Sequence, residues 1–429
     1  MKLPVEGSAM KPIRILSIAL FLASTLAQAD FADFKEFEQR AVGGHSIRVL
    51  PDGKTLTEAR QQAIESARES IYLSAYSFQD DAAALDIAER LCAKARDHLD
   101  VRVFLDHRGS NDFGKIADHL RDCGARVFNY DALDWGIGFF RETLHEKLLI
   151  VDGLRVITGG SGYSDKYATA SHDSPTWHDL DALIEGPAAC WYHFRFQNEW
   201  RKSSLIDIQP DRKIYQDEYG QKILERKYGL GSFRPCKYVN AGTAHVYPIQ
   251  SNPLLDGGHW LLDTHIKGIH ASQGTIRLYS PYFTPHKDLI AALLDARKRG
   301  VKVTILTNAP WSNDEQTSFV GTLRIAGPLL DAGVEIRMWK KQSTLHRKGG
   351  VYDGKWAWVG SDNLDRAAHV YNSEDIALTD DVDTVRELNA QFDEDLADSI
   401  PLTREFMRVQ SEHYSRFRKW FVGAISRWL

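Results

Sequence analysis

Apolar and polar positions alternate over short stretches, then recur at helical spacing, and this succession runs twice along the chain. Residues 67–78 and 272–283 each read as a helix end passing into an alternating strand. In both copies an amphipathic helix follows (residues 82–96 and 286–299), then a strand (101–106 and 301–306). A second helix runs out through Cys123-Gly124 or Ala332-Gly333. After it comes a strand carrying His and Lys, an Asp-Gly turn and another apolar strand. Strands alternating with helices at this spacing predict crossover units and a mixed or mostly parallel sheet flanked by helices. The repetition predicts an α/β fold of two similar lobes facing each other. The expected divisions are a first lobe over residues 30–206, a polar connection over 207–244, a second lobe over 245–400 and a C-terminal helix over 401–429.

Both ends carry separate signals. Lys11 and Arg14 precede an apolar stretch, residues 15–26, and Ala27-Gln28-Ala29 has the form of a cleavage site. Residues 1–29 therefore read as an export signal, with an uncleaved anchor as the alternative. Twelve helical residues cover about 18 Å of a hydrocarbon layer about 30 Å thick. Export to the periplasm or beyond permits disulfides. The four cysteines, Cys92, Cys123, Cys190 and Cys236, lack zinc-site spacing, so no metal or other cofactor is expected. They allow three pairings, of which Cys92–Cys123 with Cys190–Cys236 is preferred. In the C-terminal run, Phe406, Val409, Phe417, Trp420, Phe421, Ile425 and Trp428 recur at helical spacing among an excess of Arg. Such a helix suits an anionic membrane surface; covering an apolar groove is the alternative. The aromatic segment 134–140 faces the same choice between lipid and core. A formal charge of -5 argues against a surface built to wrap nucleic acid.

The chemistry lies in two matching segments. Leu144-His145-Glu146-Lys147 leads to Asp152-Gly153 and then Gly160-Ser161; Leu345-His346-Arg347-Lys348 leads to Asp353-Gly354 and then Gly360-Ser361. His and Lys two apart on a strand share a face. An imidazole can attack phosphorus or carry a proton near neutral pH, and an ammonium can hold phosphate oxygens. Asp152 and Asp353 stand at an odd offset, which points them away from that face and towards ordering the turn. One such segment would be weak evidence; two in the same context are strong.

These paired motifs resemble the phospholipase D superfamily over residues 51–379. Ser280-Pro281-Tyr282-Phe283, Asn308, Asn313-Asp314 and Trp177-His178-Asp179 resemble the flanks in bacterial cardiolipin synthases and related phosphatidyltransferases. The resemblance implies one active site at the lobe interface, complete in a monomer and acting on a phospholipid. One histidine would form a phosphohistidine while the other serves as acid and base. His145 is assigned as nucleophile and His346 as acid/base on the commoner family pattern; the residues alone do not decide. The resemblance also groups Asp152 and Asp353 with the catalytic set. Ser161, Ser361 and Asn363 match phosphate-supporting positions, and Asp179 and Glu374 match carboxylates that orient the imidazoles. Two departures stand out. Gly162 replaces the usual Asn of the first copy, and Gly349-Gly350 after Lys348 suggests a bulge or a close approach of substrate. Transfer to an alcohol or a lipid, and hydrolysis, use the same residues. A nuclease of the same superfamily is the runner-up reading, and a catalytically dead lipid-binding protein the third.

Overall fold

The duplication extends to the order of the strands. In the first lobe the strands are β1 (Ser46–Leu50), β2 (Ser70–Ala75), β3 (Asp100–Asp106), β4 (Arg126–Tyr130), β5 (Lys147–Val151), β6 (Arg155–Gly159) and β7 (Asp181–Glu185). The second lobe has β8 (Val246–Ser251), β9 (Thr275–Tyr279), β10 (Lys302–Asn308), β11 (Glu335–Trp339), β12 (Gly349–Tyr352), β13 (Trp356–Gly360), β14 (Glu374–Thr379) and β15 (Ser399–Pro401). The sheets run β1-β7-β6-β5-β2-β3-β4 and β8-β14-β13-β12-β9-β10-β11, the second extended by β15. In each, three strands pair in parallel (β2-β3-β4 and β9-β10-β11) and the motif-bearing half pairs antiparallel. This computed structural model describes residues 43–110, 113–130, 143–168, 176–207, 228–252 and 258–414. The expected export signal, the aromatic segment 134–140 and residues 415–429 lie outside the described residues.

The buried strands explain the near-continuous apolar runs, since helices cover their outer faces. One core gathers Leu56, Ile64, Ile71, Leu73, Leu91, Val103 and Leu149; the other gathers Leu261, Ile276, Leu278, Leu293, Ile305, Phe319 and Trp358. Helix starts are set locally. Asp52, Asp81, Asp381 and Thr403 each accept from the backbone amide three residues on, satisfying a donor the helix leaves free. The preferred disulfides are both present, Cys92–Cys123 between two helices and Cys190–Cys236. The second ties down residues 228–244, as does Arg102. That buried guanidinium donates to the carbonyls of Tyr228 and Gly229 at 3.0 and 2.9 Å. The described part of the expected connection is thus held on the first lobe. Among the described residues no helix is long and apolar enough to cross a membrane. The described start of the C-terminal run forms the helix Arg404–His413, and its Phe406 and Met407 pack on the second core.

Gly349 and Gly350 make no bulge. Both sit in regular antiparallel register in β12 between β9 and β13. A Cβ on Gly350 would stand 2.5 Å from Nε1 of the buried Trp358, so the indole, rather than substrate, occupies the space.

Candidate active site

Each histidine is placed by the lobe it does not belong to. His145 and His346 lie just ahead of β5 and β12. The His145 amide donates to the Ser373 carbonyl at 2.9 Å, and the His346 amide to the His178 carbonyl at 2.8 Å. These exchanges bring Glu374 and Asp179 onto the opposite lobe's ring. His145 Nδ1 lies 2.8 and 2.9 Å from the two Glu374 oxygens, and His346 Nδ1 lies 2.6 Å from Asp179 Oδ2. A carboxylate on Nδ1 fixes the Nδ1–H tautomer and leaves the Nε2 lone pair for chemistry. The sequence aligns Asp179 with Glu374, but nothing in it tells which carboxylate serves which ring.

A second pair of residues sets the approach of these segments. Asp106, at the end of β3, accepts from the Leu144 amide at 2.9 Å, and Asn308, at the end of β10, accepts from the Leu345 amide at 2.9 Å. Asn308 also donates to the Leu345 carbonyl at 2.7 Å. Asp106 had no motif to mark it; the strand bounds, which end at Asp106 and Asn308, show the two as equivalents. Desolvation pushes its pKa up to about 6.

Both lysines are buried beside the histidines and donate to the carbonyls of His145 and His346 respectively, the second at 2.7 Å. Burial, and then the two ammonium charges, hold both imidazoles well below their usual range. Desolvation pushes Lys147 down to about 7 and Glu374 up to about 8. Burial drives both shifts against the mutual attraction of Lys147 and Glu374, as expected where charged groups share a dry site. Aromatic rings wall it: Tyr76 lies 4.9 Å from the His145 ring, and Trp177 and Tyr167 lie 4.8 and 5.7 Å from that of His346.

The supporting residues divide. Ser361 donates to Glu374 at 2.6 Å, so it holds the carboxylate that holds His145. Ser161 donates to Asp181 at 2.5 Å and is likewise turned onto a carboxylate instead of free for phosphate. Among the described residues, the buried Oδ1 of Asn363 has no hydrogen-bond partner. Asp152 and Asp353 are corrected out of the catalytic group. Each sits in the left-handed region (φ 55° and 53°) and accepts three backbone amides at the start of β2 or β9, at 2.8–2.9 Å. Gly162 is explained by space: a Cβ there would stand 2.9 Å from the Ser77 carbonyl oxygen and from the Tyr167 ring.

One buried cluster escaped the sequence reading. The ligand atoms of His265, Asp362 and His369 all lie within 4.8 Å of one another, close enough to hold a metal. As folded, Asp362 Oδ2 accepts from both rings, at 2.9 and 3.1 Å, and its Oδ1 accepts from the Leu364 amide at 2.7 Å. Against desolvation, the charge and hydrogen bond of His369 keep this carboxyl well below the ordinary range. The two histidines lie far apart in sequence and at no ligand spacing, so no local pattern announced them.

Two half-sites of one design, joined into a single centre by exchanged carboxylates, define an enzyme of the phospholipase D superfamily. Residues 61–190 and 265–396 match the family model described as "Cardiolipin synthase, PLD-like domain", and the chain belongs to that family. It is 27% identical to the cardiolipin synthase of Oceanobacillus iheyensis over 86% of this chain and 72% of that protein. It is 26% identical to cardiolipin synthase A of Pseudomonas entomophila over 86% and 73%. In fold it is similar to the crystal structure of phosphatidylserine synthase from Haemophilus influenzae, with a TM-score of 0.63 at 16% identity, covering 92% of this chain and 97% of that one.

Proposed function

We propose that this protein transfers a phosphatidyl group between alcohols in the manner of a cardiolipin synthase, through a phosphohistidine. The observation that carries the reading is the pair of imidazoles with Nδ1 held by a carboxylate and, among the described residues, no hydrogen-bond partner on Nε2, beside two buried ammonium groups. His145 Nε2 attacks the phosphorus of phosphatidylglycerol as the bond to glycerol breaks, and His346 gives the departing oxygen its proton. His346 then takes the proton of an incoming hydroxyl, whose oxygen attacks phosphorus and breaks the P–N bond. Lys147 and Lys348 hold the non-bridging oxygens throughout, where charge develops. The bound phosphodiester's negative charge raises the pKa of His346, which burial and then the two ammonium groups otherwise depress, towards a value suited to acid and base work.

The same chain supplies every one of these groups, which supports activity as a monomer. Two disulfides support an oxidising compartment and hence export. The basic, aromatic end of the chain supports docking on an anionic membrane. The test is purified protein with phosphatidylglycerol vesicles, with and without ethanol, beside His145→Ala and His346→Ala and a plasmid DNA control. Cardiolipin and phosphatidylethanol are expected from the wild type and neither from the variants. Phosphatidic acid as the sole product makes it a hydrolase, and cleavage of DNA alone refutes the lipid reading.

A further inference from the structure

A third cation reaches the site from outside the paired motifs. Lys166 lies in the short helix Asp165–Ala168 of the first lobe. Its Nζ stands 3.9 Å from the centre of the Trp177 ring and 5.1 Å from that of Tyr167. Those two rings are the ones packed against His346. Its charge is among those acting on His346.

Lysines that leave water normally find a carboxylate. Lys166 is partly buried, and desolvation draws its pKa down, yet among the described residues no acid lies within ion-pairing distance of its Nζ. Asp314, Asp81 and Asp179 act on it only through space. The cation is kept in place by aromatic faces, an arrangement that holds an ammonium while leaving its N–H donors uncommitted. An uncommitted cation in a poorly hydrated wall attracts an anion far more strongly than one in bulk water.

The side of the site matters. On the proposed mechanism, on which this inference rests, His346 handles the alcohols: the one that departs and the one that enters. When the entering alcohol is the head group of a second phospholipid, its own phosphate lies one three-carbon bridge from the attacking hydroxyl. We propose that Lys166, seated on Trp177, binds the phosphate of the acceptor lipid, and so selects an anionic phospholipid over a neutral alcohol. Lys147 and Lys348 serve the phosphate that is transferred; Lys166 serves the one that is not.

The experiment is competition in one tube. Phosphatidylglycerol vesicles receive ethanol at a concentration at which the wild type forms cardiolipin and phosphatidylethanol equally, and Lys166→Gln and Lys166→Arg are compared. Losing a hydrogen bond to a charged group should lower the cardiolipin to phosphatidylethanol ratio at least about tenfold in Lys166→Gln. Lys166→Arg should keep the ratio within about threefold of the wild type. A parallel arm uses soluble acceptors, in which Lys166→Gln should raise the KM for glycerol 3-phosphate and leave that for glycerol unaltered. An unchanged ratio, or equal loss of both products, overturns the inference while leaving the transferase reading intact. Cardiolipin lost with glycerol 3-phosphate unaffected confines the subsite to a lipid acceptor and rejects a general phosphate site. A wild type that forms phosphatidylethanol but never cardiolipin also overturns it; one that forms no phosphatidyl product refutes both readings.

Discussion

Replacing Asp179 with Asn should disable a histidine that belongs to the other half of the chain. Asp179 Oδ2 accepts from His346 Nδ1 at 2.6 Å, and both side chains are about 5% exposed. The amide keeps the shape and removes the charge, and it can turn its NH2 towards Nδ1 and force the wrong tautomer. A hydrogen bond to a charged group is worth about 1.5–3 kcal/mol. At about 1.36 kcal/mol per decade of rate, kcat should fall about 10- to 150-fold. The substrate's phosphate is held by the lysines, so KM should stay within about twofold, and Asp179→Glu should recover part of kcat. Stability should not suffer, because desolvation already raises the pKa of this carboxyl and the amide is spared that cost. The assay is steady-state transfer from phosphatidylglycerol to ethanol, with thermal melting as the control. A variant that folds and retains kcat within twofold would refute the positioning role.

Three further outcomes follow from the same geometry. The profile of kcat/KM against pH should hold its acid limb below pH 6.5, because burial and the ammonium charges keep the nucleophile His145 unprotonated to that point. It should fall as pH rises through about 7, where desolvated Lys147 gives up its proton and the clamp its charge; Lys147→Arg should move that limb upward. Gly162→Asn, which restores the family's usual residue, should lower the melting temperature and cost about 1–3 kcal/mol, since the Cβ meets the Ser77 carbonyl; a variant as stable as the parent would contradict the packing argument. Denatured, unreduced protein should show no reactive thiol, and Cys190→Ala with Cys236→Ala should cost about 4 kcal/mol in urea unfolding for a loop of 46 residues.

The repeat was legible because it is written in local terms. Strand and helix periods, the His-x-Lys spacing and the Asp-Gly turns all lie within a few residues of one another, and each has a direct counterpart in the other half. The outward-pointing Asp152 and Asp353 were readable from strand parity, and the three amides each accepts give the reason they recur. The pairing of His145 with Glu374, 229 residues away, was not readable. Either carboxylate could serve either ring until the lobes are docked. The regular register of Gly349-Gly350 and the turn of the Ser161 hydroxyl onto Asp181 were unreadable for a related reason. Which way a hydroxyl turns, or what fills the space above a glycine, depends on neighbours such as Asp181 and Trp358 that no local pattern names.

The exchanged carboxylates change how damage to this protein should be mapped. A lesion at Asp179 lies in the first half by position and in the second by consequence, and one at Glu374 the reverse. Screens that score each half on its own would assign both to the wrong place. On the proposed activity as a monomer, two impaired chains, one altered at Asp179 and one at Glu374, should not rescue each other when mixed, because each would draw both halves of its site from one molecule. For the same reason neither copy is a spare: duplication here confers no redundancy, and drift in one half is exposed at once through the chemistry of the other.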